Sequence, residues 1–554
     1  MNKKRIYLSV LFFLFFSYAQ AAIIYVDNDS QGNNNGQTWA NAYHSLSTAL
    51  SNANSGDIIR MDQGIYTAPS GGFILKDGVK IYGGYNVRYN NGTIIPKWLI
   101  NATRFFGSPP ATTIIEGNPV FLANQNLSNQ TIIDGLILKS NNSTQYSNPI
   151  IGLISTTPIT FALHINNCTF KSISNTSPFS RGISNGGSTF TGSFSPVING
   201  CNFETMTGIK IEFGMNSSLD IKVDNTNFKN TGSNSSGNVA LQFDGSTMDI
   251  LSRPKISVNN SLLSNFYGLK LALKNVASST GIISDVKITN SIFSSLSSNY
   301  LIRPFEIGSL CNVYVDNSTL YNPSSIIMTF GNDLVAANFN NSIIVNGGGT
   351  VFGIASSKGY YRFNNCLFNG TTCPTSIFGT NFTGTVNCTN SIFNQNPQFI
   401  STDPNNADYL KPSATSPARN AGNNLFATGK GYGGNDRILE GTVDIGAYEF
   451  CPSGTSCINT SPTGGGGHTS RKIATQNLEN STENLLVYPN PVKDIIKIKT
   501  TDKVISIELL SVQGQLINST KDSKELNTQN IAKGMYLLKV TTDKGIQTKR
   551  IVKE

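Results

Sequence analysis

One short stretch of the chain places a lysine between two aspartates at alternating positions. Lys222 lies two residues after Asp220 and two residues before Asp224, within the sequence DIKVD. In a β-strand the three side chains would point to the same side. An amine in that setting could remove a proton from a substrate, while the carboxylates could hold a cation such as calcium. The alternative is a solvated strand whose charges pair with those of neighbouring strands.

Lys222 belongs to a repeated pattern in which alternating apolar residues are followed by Asn, a small residue, any residue and a large apolar residue. The Asn, replaced once by Gly, is called the anchor below. The anchors are Asn167, Gly200, Asn225, Asn260, Asn290, Asn317, Asn341, Asn365 and Asn390. The apolar residues three positions later are Phe170, Phe203, Phe228, Leu263, Phe293, Leu320, Ile344, Phe368 and Phe393. Copies that keep one register indicate a structural repeat.

The repeat predicts an all-β fold, a parallel β-solenoid with turns of about 25 residues and loops of variable length. Inward apolar residues would alternate with outward polar ones. Asn at the inward bend can adopt left-handed backbone angles, and its amide can hydrogen-bond the copies above and below. A second strand ladder is predicted at 208–213, 238–243, 268–273 and 325–330, and a third near 134–138.

An outward row lies three residues before the anchors and carries the side chains best suited to contact a ligand. The candidates for binding in this row are Lys222, Lys287, Tyr314 and Arg362. Outward strand positions that mix amines, a guanidinium group and an aromatic ring offer both charge and a flat apolar surface.

The region after residue 22 predicts a helix over about 39–54, because Ala42, Leu46, Ala49, Leu50 and Ala53 share one face. The sequences GDIIR and QGIYT follow. This arrangement resembles the right-handed parallel β-helix proteins of the pectate-lyase-like superfamily. The resemblance implies a coil over 22–450 whose first turn is capped by the helix.

Residues of about 396–450 resemble a bacterial surface-protein module that closes such coils, through NPQF, SPARNAG, GGNDR and VDIGAYEF. Three acidic residues of this closing module, Asp436, Asp444 and Glu449, are candidate ligands for calcium, which prefers oxygen. The favoured alternative is that they accept hydrogen bonds from the turns of the module, so no metal or other cofactor is expected.

The two ends of the chain predict export. Residues 1–21 combine basic residues with a short apolar stretch, as in a secretory signal, and cleavage is expected between Ala21 and Ala22. No later stretch is apolar enough to span a membrane.

Residues 451–484 form a Gly- and Ser-rich flexible linker in which Cys451 and Cys457 could close a disulfide loop. The cysteines within the repeats are expected to be small buried side chains.

Residues 485–554 show short alternating strands, which predict a small immunoglobulin-like β-sandwich. This segment resembles the C-terminal sorting domain of the type IX secretion system. The residues that carry the resemblance are Pro489, Asn490, Pro491, Gly514, Gly534, Tyr536 and Lys549. The resemblance implies that the secretion machinery of a Gram-negative bacterium is a partner and that the protein is secreted or held at the cell surface.

The net charge of +9 is distributed as +3 over residues 1–21, +1 over 22–470 and +5 over 471–554. The large middle part is therefore electrically balanced, which argues against nucleic acid as a partner.

The favoured function is binding of a glycan or another surface by a monomeric, adhesin-like protein. The alternative is a polysaccharide-degrading enzyme, a lyase before a hydrolase, that acts on acidic polysaccharide. A purely structural solenoid is the third possibility.

Overall fold

The computed structural model describes most of the chain. The described residues are 21–86, 112–141, 149–172, 181–229, 238–245, 253–264, 267–273, 284–294, 303–307, 310–323, 327–329, 335–345, 352–354, 359–370, 372–373, 377–378, 385–452, 485–488, 492–500, 502–511, 516–543 and 545–553. The chain divides into two compact units, residues 1–473 and 474–554.

The first unit contains three parallel sheets, counted over the described residues. Sheet 1 has fifteen strands: Ile23–Val26, Ile58–Asp62, Lys80–Tyr85, Ile132–Asp134, Ile159–Phe161, His164–Asn166, Gly192–Phe194, Val197–Asn199, Ser218–Asp224, Lys255–Asn259, Ser284–Thr289, Cys311–Asp316, Val335–Asn340, Gly359–Asn364 and Thr385–Thr389. Sheet 2 has eleven: Gly64–Thr67, Thr113–Gly117, Leu136–Ser140, Thr169–Lys171, Asn202–Glu204, Asn227–Lys229, Leu262–Ser264, Ile292–Phe293, Thr319–Tyr321, Ile343–Val345 and Leu367–Phe368. Sheet 3 also has eleven: Phe73–Ile74, Phe121–Ala123, Ile151–Leu153, Arg181–Ser184, Thr207–Glu212, Val239–Gly245, Tyr267–Leu273, Arg303–Ile307, Ile327–Thr329, Phe352–Ile354 and Ile377–Phe378.

These sheets form the predicted parallel β-helix, in which the chain runs from sheet 1 through the anchor to sheet 2 and then to sheet 3. All nine anchors have positive φ, between 47° and 67°. The third ladder predicted near 134–138 is confirmed as sheet 2, although its strand starts at Leu136 because residues 134 and 135 lie at a corner. Asp134 ends a strand of sheet 1, Gly135 has φ 71° as an anchor does, and Leu138 pairs with Phe170 in sheet 2.

The core is a stack of side chains from successive turns. The rings of Phe170 and Phe203 lie 4.2 Å apart, and those of Phe203 and Phe228 lie 4.7 Å apart, all nearly parallel. The three side chains are at most 1% exposed. Stacked rings in register remove a large apolar area from water, which stabilises the coil.

The inward position at each corner belongs to the residue after the anchor, which corrects the expectation that the anchor itself points inward. Eight of these nine small residues are buried, and the ninth, Ser391, is half-buried: Cys168, Cys201, Thr226, Ser261, Ser291, Ser318, Ser342 and Cys366 are the buried ones. The Ser261 N–H donates to Ser291 Oγ at 3.1 Å, and the Ser291 N–H donates to Ser318 Oγ at 3.2 Å. Each hydroxyl of this corner ladder therefore satisfies a backbone N–H of the preceding turn.

Asn side chains connect the turns on the outer side of the same corner. Contrary to expectation, most of these hydrogen bonds do not join one anchor to the next. Asn225 Nδ2 donates to Asn199 Oδ1 at 3.0 Å, so the anchor reaches the residue before the anchor of the preceding turn. Asn341 does bond the neighbouring anchor, since its Nδ2 donates to Asn317 Oδ1 at 3.1 Å.

The helix that covers the start of the coil is shorter than predicted. A 3-10 turn at Trp39–Asn41 is followed by an α-helix at Leu46–Asn52. The predicted helix is interrupted because Tyr43 forms a bridge with Val26 of sheet 1, and a new helix then starts at Ser45, whose side chain accepts the Thr48 N–H. The apolar face is correct, and the side chains of the α-helix pack into the main core.

The closing module lies along the side of the coil rather than only across its end. Its residues Tyr409, Leu410 and Tyr448 pack against outward-facing Leu262 and Ile292 of sheet 2. A second cluster is built from residues of both parts of the chain: Ile343, Leu367, Ala418 and Ile445. By contrast, no residue of the last strand of sheet 1, Thr385–Thr389, is fully buried. The outward side of sheet 2 is apolar in these turns because the module covers it.

The second unit is the predicted β-sandwich. Three antiparallel strands, Leu485–Tyr488, Ile495–Thr500 and Glu525–Asn527, form one sheet. Four more, Leu516–Lys521, Val504–Ser511, Gly534–Thr542 and Gly545–Lys553, form the other. Apolar side chains of both sheets form one core, which confirms the small sandwich domain.

The corner ladder generates a stability prediction. Ser291→Ala removes the acceptor of the buried Ser261 N–H, and a buried amide without an acceptor costs about 1–3 kcal/mol. We expect the free energy of unfolding, measured by chemical denaturation, to fall by about that amount. Ser291→Cys is the matched control, because sulfur occupies the same position at Cys168 and Cys366; its loss should be smaller. Equal stability of Ser291→Ala and the unchanged chain would contradict the role of the ladder.

Candidate functional site

The four predicted binding residues lie in one exposed column on the outward side of sheet 1. This column, named the basic face here, consists of Lys222, Lys287, Tyr314 and Arg362. Strand register places Lys287 directly beside Tyr314, and Arg362 two strands beyond Tyr314. The Tyr314 ring is 40% exposed, and a second ring, that of Tyr360, is 48% exposed on the strand of Arg362. The structure therefore brings the four predicted residues together.

The cations of the basic face are not neutralised by direct ion pairs with other described residues, whereas nearby acidic groups are occupied. Arg253 pairs with Asp285, which also accepts a hydrogen bond from Asn312 Nδ2 at 3.3 Å. Lys222 and Lys287 are exposed and free to meet an anionic ligand. Amines and guanidinium groups that are not already paired bind carboxylates without first breaking another contact.

Two carboxylates beside the basic face are withdrawn from solvent. Asn259 Nδ2 donates to Asp224 Oδ1 at 3.1 Å, and Asn340 Nδ2 donates to Asp316 Oδ1 at 2.7 Å. Burial raises the pKa of Asp224, although the hydrogen bond from Asn259 and the charge of Lys222 oppose the shift. Burial likewise raises the pKa of Asp316. Both carboxylates are half-buried, whereas Lys222 and Lys287 beside them are exposed.

The three candidate catalytic residues, called the trio here, lie on one strand of sheet 1. Asp220, Lys222 and Asp224 share the outward side, as predicted, and Asp220 and Lys222 are exposed. Lys222 and Asp220 extend into solvent, so the trio is well placed to contact a ligand.

A different group of charged side chains, on the outward side of sheet 3, has the burial that the trio lacks. Lys270 Nζ lies 2.9 Å from Glu306 Oε1, with the two side chains 18% and 14% exposed. Lys270 Nζ also lies 4.3 Å from the centre of the Tyr267 ring, and Arg303 Nη1 donates to the Tyr267 hydroxyl at 3.0 Å. We name this group, together with Lys210, Glu212, Gln242 and Asp244, the sheet 3 cluster.

Asp244 occupies the most perturbed position of the sheet 3 cluster. Burial raises its pKa, and the hydrogen bond from Gln242 Nε2 at 2.6 Å and the charges of Lys210 and Lys270 oppose that shift. Such a carboxyl group between two amines can give or take a proton. The sequence contained the lysines as outward residues of the second ladder, but it gave no indication that Arg303 and Glu306 lie beside them.

The acidic residues of the closing module hold turns together. Asp444 accepts the N–H groups of Asn420 and Phe450 at 2.7 and 2.6 Å, and Glu449 accepts that of Asp444 at 3.0 Å. Asp436 instead pairs with Lys430 at 2.7 Å. The part of the chain that the structure describes contains no group of three or more His, Cys, Asp or Glu that could hold a metal ion.

A buried arginine, which the sequence analysis missed, joins this module to the coil. Arg437 is 3% exposed and donates to Asn317 Oδ1 at 3.2 Å and to the carbonyls of Asp444 and Gly446, each at 3.0 Å. Burial lowers the pKa of Arg437 to about 10, and the charges of Glu449 and Asp444 oppose the shift. Arg437 is therefore a structural cation.

The cysteines within the repeats are buried and free, as expected for Cys168, Cys201 and Cys366, and Cys311 is also of this kind. A disulfide that the sequence analysis missed joins Cys373 to Cys388.

Cys451 is disulfide-bonded. Its predicted partner, Cys457, lies outside the described residues, so this pairing stays a prediction.

The sorting residues are only partly described. Tyr536 is half-buried, and its hydroxyl donates to the Ala532 carbonyl at 2.9 Å. Gly534 begins a strand whose residue Leu538 pairs with Lys549. Outside the described residues lie Pro489, Asn490, Pro491 and Gly514. The signal segment 1–20 and most of the linker also lie outside them, while Ala21 and Ala22 are described and exposed.

Comparison with known protein families identifies the C-terminal segment. Residues 486–554 match the family of secretion system C-terminal sorting domains. Among solved structures, the chain is similar to the crystal structure of pectate lyase Pel9A, with 12% identity and a TM-score of 0.38, over 78% of this chain and 97% of that chain. No curated protein matches the chain.

The fold and the matched domain define the class of this protein: it is a parallel β-helix protein with a C-terminal sorting domain of the type IX secretion system. The sorting domain directs the protein to that secretion machinery, and so to the cell surface or the medium. No helix among the described residues is both long and apolar enough to cross a membrane.

Glu449 generates a prediction about pH. Burial, followed by the charge of Asp444, raises its pKa from 4.5 to about 8. The folded chain therefore holds a proton that the unfolded chain releases above its ordinary pKa, so the free energy of unfolding falls as pH rises from about 4.5 to about 8. Glu449→Gln should flatten this part of the curve, measured as the urea midpoint at each pH. Glu204→Gln, on a 40% exposed side chain, is the control; parallel curves for Glu449→Gln and the unchanged chain would refute the assignment.

Proposed function

We propose that the protein binds acidic polysaccharide at the cell surface through the basic face. The observation that carries this proposal is that Lys222, Lys287 and Arg362 are exposed in one column and lack ion-pair partners among the described residues. Cations arranged in this way fit a ligand with repeated carboxylates. The Arg362 guanidinium can bind one carboxylate through two hydrogen bonds, and the lysines add charge.

Exposed aromatic rings offer a polysaccharide a second kind of contact, in addition to the charges. Tyr314 and Tyr360 are 40% and 48% exposed, and between their strands lie the smaller residues Ala336 and Asn338. A Tyr side chain presents a flat apolar body and a polar tip, which suits the face and the hydroxyl groups of a sugar ring. Neighbouring strands are about 4.8 Å apart, so a linear polymer that follows the coil meets a residue of the basic face within every two turns.

Binding that depends on exposed charge is weakened by salt, because the screening length is about 8 Å at physiological ionic strength and about 3 Å at 1 M. Affinity for an acidic polysaccharide should therefore fall steeply between these conditions. Affinity for a neutral polysaccharide, which rests on ring contacts alone, should not.

We predict that Lys287→Ala combined with Arg362→Ala lowers affinity for acidic polysaccharides at least tenfold, and that Tyr314→Ala lowers it for acidic and neutral chains alike. The measurement is binding of the mature protein to a panel of immobilised polysaccharides, with and without calcium. Lys171→Ala is the matched control, since this lysine is 52% exposed on sheet 2, away from the basic face. Unchanged affinity of the double variant for every polysaccharide that the protein binds would refute the proposal.

A second candidate function, cleavage of acidic polysaccharide, is favoured by the sheet 3 cluster. Lys210 and Lys270, which pair with Glu212 and Glu306, can exchange these carboxylates for that of a uronate, which makes the neighbouring C–H more acidic. Asp244, whose pKa is raised by burial, can then donate a proton to the leaving sugar oxygen. In this scheme the Asp244 carboxylate takes the proton from that carbon and, as the acid so formed, gives it to the leaving oxygen, while the C–O bond to the next sugar breaks and a carbon–carbon double bond forms.

This second function predicts new ultraviolet absorbance from unsaturated products when the protein is incubated with acidic polysaccharide. Asp244→Asn should reduce that rate at least a hundredfold, because it removes the exchangeable proton while keeping the size of the side chain. Lys222→Ala, on the basic face, should leave turnover of a saturating substrate unchanged. Binding to the same polysaccharide without any product would exclude its cleavage and would agree with the binding function alone.

A further inference from the structure

The first strand of the coil begins beside a carboxylate. The Ala22 backbone nitrogen donates to Asp57 Oδ1 at 2.7 Å, and the Ala22 carbonyl accepts the Ile58 N–H at 2.8 Å. Ile23 then pairs with Ile58, which starts the ladder of sheet 1. The nitrogen of Ala22 is therefore held at the point where the coil starts.

Asp57 has two separate tasks in this contact. Its Oδ2 accepts the Asn54 N–H at 2.8 Å, which closes the turn after the capping helix, and its Oδ1 faces Ala22. The residue is 7% exposed, while Ala21 and Ala22 are exposed. An Asn side chain would close the turn with one oxygen just as well. The carboxylate offers a second oxygen to Ala22, and its negative charge strengthens this contact when the nitrogen is charged.

We propose that removal of the signal segment converts this hydrogen bond into an ion pair between the Ala22 α-ammonium group and Asp57, which fastens the first strand of the coil only in the processed protein. The proposal rests on the expected cleavage between Ala21 and Ala22, and it is independent of the ligand. Hydrolysis breaks the peptide bond with one water, leaving a carboxylate on Ala21 and an ammonium group on Ala22. The precursor keeps a neutral amide at the same place.

The ion pair has a defined dependence on pH. A free α-amino group has a pKa of about 7.7–8.0, and a partner carboxylate favours its charged form. The folded-state pKa of Ala22 is therefore raised. Its contribution to stability is complete below the unfolded-state value and is lost as pH rises through the folded-state value. Among the described contacts, the charged side chain at this nitrogen is that of Asp57, and Lys80 on the neighbouring strand donates its backbone N–H to the Asp57 carbonyl.

The test compares the processed chain that starts at Ala22 with the same chain acetylated at that nitrogen. Acetylation keeps the N–H donor and removes the charge. Each form is made with Asp57 and with Asp57→Asn, and hydrogen exchange is followed in the segments 23–26 and 58–62. Acetylation should speed exchange at least tenfold when Asp57 is present and should have little effect in the Asp57→Asn chain. An equal effect in both backgrounds would overturn the ion pair.

Two further measurements test the ion pair even if the Asp57→Asn chain folds poorly. The titration of the Ala22 amine, followed by NMR after isotope labelling, should give a pKa at least one unit above its ordinary value. An ordinary value overturns the proposal. Mass spectrometry of the exported protein should identify Ala22 as the first residue, and any other first residue would overturn it as well.

Discussion

At the corner between sheet 1 and sheet 2, two consecutive residues of the chain must meet different demands. The first must adopt positive φ, which Asn and Gly do at low cost. The second points into the core, where the backbone N–H groups of the corner have no strand partner and no water. A side-chain oxygen from the next turn satisfies them, as Ser318 Oγ does for Ser291. The pair Asn–Ser recurs because Asn adopts the positive φ and the Ser hydroxyl accepts the buried N–H of the preceding turn.

The closing module depends on the same corner. Its backbone and side chains bond the anchors that would otherwise face water: Asn290 Nδ2 donates to the Thr428 carbonyl at 3.1 Å, and Asn341 Nδ2 to that of Asn423 at 2.9 Å. Arg437 adds a buried cation at Asn317. The regular spacing of the corners thus provides a row of hydrogen-bonding groups on which an irregular segment can rest. Sheet 2 is consequently a buried surface and is not available to a ligand in these turns.

The local features of the coil could be predicted from the sequence because each is set by residues close in the chain. Asn167 with Phe170 defines a corner and a core position whatever surrounds them, and the outward direction of Lys222 follows from alternation. The features that could not be predicted depend on the strand register between successive turns, which a local sequence pattern does not define. Lys270 and Glu306 meet because their strands pair, and Cys373 meets Cys388 across a connection of irregular length. The side-on position of the module likewise depends on packing that no repeat pattern encodes.

Sheets 1 and 3 present different outward surfaces. Side chains on sheet 3, such as Lys270 and Glu306, are half-buried and paired, whereas those of the basic face are exposed. A flat, exposed row suits a long polymer that lies along the coil, and a crowded, partly dehydrated group suits proton transfer. The alternation of inward and outward residues that builds the coil therefore also leaves it with two outward surfaces of different chemical character.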